Sequence, residues 1–299
     1  MNENSNQNEQ EEIVSTPKKT HDRPKGEFST TEFQDCQERW REGVARREQF
    51  LQLLPTCERE AAKTINTLNL IFLAEKPSTY GTIITRNIAK ALEKSGLRVL
   101  ADFKPNQEWG ELSTEQSYIY DPEQVRQVLR DPANAYLLGD YFDLSADQVM
   151  EILYRTHRKD ADAPLGLVLG FPQKAVMDYE QMKIVERDPI IFRLHDLITP
   201  EERAELFSTV EKSNEDSRAA TEMGQVNIKL LLRYQSQLSL DDQAISKEIN
   251  KISDDYTWLS TKKVVSFPGF DWAEFGQLSQ ESKDKEKRVR AALKVFQDL

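Results

Sequence analysis

Lys76, Ser78, Thr79, Thr82 and Arg86 bring two cations and three hydroxyls into one turn, Glu75-Lys-Pro-Ser-Thr-Tyr-Gly-Thr82, and the helix expected after it. Residues of these types can hold an anion, because free N–H groups at a helix start and its macrodipole add to the Lys ammonium. Arg86 lies one helical turn beyond Thr82 and would supply a second charge. A phosphorylated small molecule is the ligand that this chemistry suits. The turn matches neither the Walker A spacing nor G-x-G-x-x-G. In the plainer reading Ser78 or Thr79 caps the helix and Gly81 relieves a tight bend.

Other reactive residue types are sparse. His21 sits in a polar terminus, His157 is expected at a helix end beside exposed carbonyls, and His195 reads as a half-buried, hydrogen-bonded side chain. None has metal-ligand spacing to another His or Cys. Cys36 and Cys57 fall on the apolar faces of successive helices, where packing is their expected task. No G-x-S-x-G pattern points to a serine hydrolase. In Leu165-Gly-Leu-Val-Leu-Gly170-Phe-Pro172, two glycines flank a short apolar run. They suit close packing or a positive φ, and a ligand approaching bare backbone is the alternative.

The run Leu70-Ile-Phe-Leu-Ala-Glu75-Lys-Pro-Ser78 resembles the first strand and loop of Toprim domains. That resemblance implies a role for Glu75 in phosphodiester chemistry. The family's second element, Asp-x-Asp after another apolar strand, has no counterpart in place. Asp160-Ala-Asp162 follows Arg158-Lys159 in a polar loop, and Asp140 with Asp143 has the wrong spacing. Without a carboxylate cluster to hold Mg²⁺, such chemistry has no anchor.

The elements that would position the turn read as strand, helix, strand. Leu68 to Ala74 is an apolar run, and two readings of it stand: a buried helix end continuing the pattern Cys57, Ala61, Ile65, or a buried strand. The strand is preferred because Asn66, Thr67 and Asn69 are poor helix formers. Ile84, Ile88, Ala91 and Leu92 then form one helical stripe ended by Gly96, and Leu97 to Ala101 is β-like. A right-handed parallel βαβ unit is the default geometry for such an order.

Elsewhere helices dominate. Phe33, Cys36, Trp40, Val44, Leu51 and Leu54 share a helical face that ends at Pro55. Residues 103 to 120 read as an irregular connection. Asp121-Pro122, the pair Ser145 and Gln148, and Thr199-Pro200-Glu-Glu202 mark helix starts. Further helices are expected at about 214 to 235, 240 to 253 and 279 to 297, and strands at 190 to 194 and 262 to 267. Phe267, Phe270, Trp272 and Phe275 form either a satellite core or a partner-binding patch. In the last helix Val289, Leu293 and Phe296 make a narrow apolar stripe that could dock on the body or on another chain.

Composition limits the functional classes. A net charge of −11 works against sequence-independent binding to nucleic acid or an anionic membrane. The two cysteines are too few for a disulfide framework and fit the reducing cytoplasm. No apolar stretch reaches the roughly 18 residues of a membrane helix. The fold expected is mixed α/β and helix-dominant, with a small sheet, surrounding helices and a disordered N-terminal tail over residues 1 to 28. Residues 29 to 299 form a single unit, with a division near 103 to 120 as the alternative. Two functions compete: a cytoplasmic interaction or regulatory protein meeting another protein through the C-terminal helix or the 267 to 275 aromatic segment, and a protein that binds or acts on a phosphorylated small molecule at 75 to 86.

Overall fold

Helix-start chemistry sets much of the architecture. The computed structural model describes residues 30–114, 116–156, 161–215 and 218–297. The expected tail with His21, and also His157 and Asp160, lie outside the described residues. Helices α1 (Thr30–Gln52), α2 (Thr56–Lys63), α3 (Asn66–Phe72) and α4 (Arg86–Lys94) make the N-terminal part, followed by α5 (Pro122–Arg130), α6 (Ala135–Leu138) and α7 (Ala146–Thr156). After them come α8 (Asp162–Val168), α9 (Gln173–Glu186), α10 (Pro189–Leu197), α11 (Pro200–Glu215), α12 (Arg218–Leu238), α13 (Asp242–Leu259) and α14 (Gln280–Gln297). The strands are β1 (Ser78–Tyr80), β2 (Arg98–Leu100), β3 (Phe103–Asn106), β4 (Gly110–Ser113), β5 (Tyr118–Tyr120), β6 (Lys262–Phe267) and β7 (Phe270–Phe275). The mixed, helix-dominant class is thus observed.

The expected caps form. Asp121 accepts hydrogen bonds from the Glu123 and Gln124 N–H groups ahead of α5. Ser145 and Gln148 close a capping box on α7, and Thr199 and Glu202 close another on α11.

The strand expected at 68 to 74 is helix α3, and the reason is burial on every side. Leu68, Leu70, Ile71, Phe72 and Leu73 are all enclosed. α1 lies so close that a Cβ on Gly43 would fall 2.2 Å from the Phe72 carbonyl oxygen. Asn69, which argued against a helix, accepts a 2.6 Å bond from Arg47 Nε instead of competing with the backbone. The strand expected at 190 to 194 is helix α10, started by Asp188 as N-cap and Pro189 at the first position. The segment before Gly170, read as a tight apolar run, is helix α8, and Gly170 leaves it with φ +81°.

The parallel βαβ unit is not formed either. β1 and β2 flank β5 and both pair with it antiparallel, Thr79 and Val99 each standing opposite Ile119. β5 and the hairpin β3–β4 come from the stretch read as an irregular connection. Asn106 builds that hairpin's turn by accepting from the N–H groups of Glu108 and Trp109, and Gly110 takes φ +77°. β6 and β7 form a second hairpin, separate from the other two sheets. No helix among the described residues is long and apolar enough to cross a membrane.

Three apolar cores follow the chain. One joins α1 to α4 with Ile119, a second gathers Tyr118, Tyr120 and α5 to α8, and a third lies among α10 to α13. The hairpin β6–β7 and α14 return to the N-terminal part: Val289 packs with Leu70 and the hairpin aromatics, and Ala292 with Cys36, Trp40 and Leu73. The stripe of the last helix therefore docks on its own chain. Phe296 has no described side chain. Cys36 is buried as expected, but Cys57 is exposed, because α2 turns Glu58 and Ala62 inward.

Candidate functional site between the turn and the last helix

The five residues singled out at 75 to 86 diverge. Lys76 is only 5% exposed; its Nζ donates to the Gly269 carbonyl at 2.7 Å and lies 4.2 Å from the centre of the Phe270 ring. Burial, and then the Lys285 ammonium, push its pKa down to about 7. Ser78 Oγ donates to the Val168 carbonyl at the end of α8. Thr79 and Thr82 come together, their hydroxyls 3.4 Å apart. Arg86 is exposed, pairs with Glu111 and stacks over Phe103. The helix cap is none of the residues expected: Thr85 accepts from the Ile88 N–H, so neither Ser78 nor Thr79 caps α4. Ser78 and Thr79 lie in β1, eight and seven residues ahead of Arg86 at the start of α4, too far to cap it.

Glu75, the residue that the Toprim resemblance singles out, follows a helix, and its carboxylate is engaged internally. Trp40 Nε1 donates to Oε1 at 3.1 Å, and Arg288 Nε lies 3.4 Å from Oε2. Among the described residues no group of three or more His, Cys, Asp or Glu side chains could share a metal ion. His195 meets Asn227, consistent with a hydrogen-bonded structural side chain.

Two hollows adjoin this region. The first, about 390 Å³, is lined by Pro77 of the turn, Gly170, Gln173, Asp131, Glu281 and Lys285. Lys285 donates to the Glu75 carbonyl at 3.2 Å and lies 4.8 Å from the Phe270 ring centre. Burial lowers its pKa to about 8; Arg288 acts in the same direction, while Glu75 and Glu281 oppose it. Burial raises the pKa of Glu281, whose Oε2 accepts from the Gln173 N–H at the start of α9. Sequence reasoning passed over Lys285 as one charge among many, although it stands four residues before Val289 on the same inward stripe.

The second hollow is an apolar groove of about 370 Å³ between α8, α9 and the hairpin β6–β7. Leu165, Phe171, Tyr179, Met182, Trp272 and Phe275 are among its walls, with Asp162, Lys262 and Asp271 as charged members. Asp178 of α9 ties the hairpin in place by accepting from the Phe275 N–H at 2.8 Å. The aromatic segment is a satellite core: Phe267, Phe270, Trp272 and Phe275 are buried, and the last two also line an open groove. Trp272 Nε1 is enclosed without a hydrogen-bond acceptor. Comparison of the chain with protein-family models, with characterised proteins and with solved structures finds no match.

Proposed function

We propose that the protein is a non-enzymatic interaction protein that takes an apolar peptide segment of a partner protein into the groove between α8, α9 and the β6–β7 hairpin. The observation that carries this reading is the open apolar groove itself, whose walls include Leu165, Phe171, Tyr179, Met182, Trp272 and Phe275. Apolar side chains of a peptide laid in the groove would cover these walls, at roughly 25 cal/mol per Å² of apolar surface removed from water. Tyr179, 46% exposed on the same groove, is the kind of aromatic that anchors such contacts. The enclosed packing of Lys76 and Ser78 supports this reading over a phosphorylated ligand at 75 to 86, since such a ligand would have to draw Lys76 off Gly269 and Phe270.

The test is selection of peptides from a random library on the full chain, followed by titration against Tyr179→Ala and Met182→Glu. Selected peptides should share an apolar motif. Each substitution should weaken binding by about tenfold or more, equivalent to about 1.4 kcal/mol, with little change in melting temperature. Binding that ignores both substitutions, or a selection without a shared motif, refutes the groove.

A further inference from the structure

We propose that Lys285 is a reactive lysine whose amine condenses with a neutral, hydroxyl-bearing aldehyde or ketone admitted to the cavity between Pro77, Gly170 and α14. This site shares only the Phe171 wall with the peptide groove and does not depend on a peptide being bound there. The geometry supplies a nucleophile, a space and a proton carrier. Lys285 and Glu281 stand one turn apart on α14 and both line the cavity. Gly170 keeps the space open beside the amine: a Cβ there would lie 3.4 Å from Nζ and 2.8 Å from Pro77 Cδ, at φ +81°.

Burial favours the neutral amine, and it outweighs the charged groups around it, which pull both ways. Burial removes the water of the ammonium and Arg288 repels it, while Glu75 and Glu281 attract it. With a pKa of about 8 the neutral fraction at neutral pH is roughly three hundredfold above that of an ordinary lysine. In the step, the nitrogen lone pair forms the C–N bond as the carbonyl π pair moves to oxygen. Protons pass from nitrogen to that oxygen, with Glu281 as carrier, and water leaves with the C–O bond to give the imine. The ligand should be neutral because Asp131 and Glu281 both face the cavity and repel an anion. Gln127 and Asn134 line the same cavity, and because Asn134 Nδ2 donates to the Val128 carbonyl, its Oδ1 is the atom that would accept from a ligand hydroxyl.

The test is reductive trapping of the full-length protein with glyceraldehyde and cyanoborohydride, with the modified lysines located by mass spectrometry. The expected result is an adduct on Lys285 forming at least about tenfold faster than on exposed Lys90, with a rate rising through a midpoint near 8. Lys285→Arg should abolish the fast phase. Glu281→Gln, which keeps an acceptor for the Gln173 N–H, should slow it. Labelling of Lys285 no faster than of Lys90 in the wild-type chain overturns the proposal whether or not the variants fold. Pyruvate trapped as fast as glyceraldehyde overturns the preference for a neutral ligand, and an unchanged rate in Glu281→Gln overturns the proton role of Glu281.

Discussion

The Lys76 ammonium lies 4.2 Å from the centre of the Phe270 ring, joining the turn after α3 to a hairpin nearly two hundred residues later. Together with the bond from Nζ to the Gly269 carbonyl, it closes the N-terminal part of the fold onto β6–β7. A cation in that position is held by ring electrons and one carbonyl in place of water, so its protonated form is costly.

A pH dependence follows. The folded pKa of Lys76, about 7, lies below the ordinary 10.5. Between those values the unfolded chain holds a proton that the folded chain has released, so stability rises with pH across this window. Lys76→Met should lose the Lys76 share of that rise and keep only the share of Lys285, whose pKa is also lowered. Melting curves at about pH 6 and about pH 9 should show the wild type gaining on the variant at the higher pH, and a constant difference between them would contradict the buried position.

Glu75 gives a second expectation. Its buried carboxylate is the acceptor for Trp40 and the counter-charge for Arg288. Removing one partner of a buried pair commonly costs about 3–5 kcal/mol. Arg288 is about a third exposed, so solvent will screen part of the loss, and about 2 kcal/mol is the expected cost of Glu75→Ala. Glu75→Gln, which retains an acceptor for Trp40, should be milder. Urea unfolding of the two variants decides, and a loss below about 0.5 kcal/mol in Glu75→Ala would mean that the cluster does not hold α14 to α1.

How much of this could be read from the sequence depends on the range of the interactions involved. Caps are local, and Asp121, Ser145 and Thr199 were legible for that reason. Asp188-Pro189 carries the same local pattern as Asp121-Pro122 and starts α10, whereas the apolar run Ile190, Ile191, Phe192 and Leu194 taken alone reads as a strand. In α3, long-range packing against Gly43 and Arg47 overrode the weak helix propensity of Asn66, Thr67 and Asn69, which no local pattern reports. The site residues divide in the same way. A turn rich in hydroxyls and cations was visible, but the burial of Lys76 by Gly269 and Phe270 was not, nor was the meeting of Lys285 with Gly170 across more than a hundred residues.

The stripe of α4 is a part that was legible. Ile88 is 3% exposed within the first core, whereas Lys90 faces solvent. Ile88→Ala should lower stability by about 2–5 kcal/mol, as truncation of a buried aliphatic side chain does, and Lys90→Ala should stay within about 0.5 kcal/mol of the wild type. Chemical denaturation of both variants would expose an error in the assigned face if the two losses were alike.

The hydroxyls of the turn can be separated by the same measurement. Thr85→Ala removes the acceptor of the Ile88 N–H at the start of α4 and should cost about 0.5–2 kcal/mol, the usual loss of an N-cap. Ser78→Ala acts elsewhere: it strips the Val168 carbonyl of its donor in a fully enclosed position, a loss of about 1–3 kcal/mol. Thr79 is buried with Thr82 as its hydroxyl partner and caps nothing, so Thr79→Ala should cost less than either. Because all three effects arise inside the fold, adding a phosphate ester should leave them unchanged. Stabilisation of the wild type by a phosphate ester that disappears in Ser78→Ala would instead place an anion at this turn and reverse the choice between the two functions.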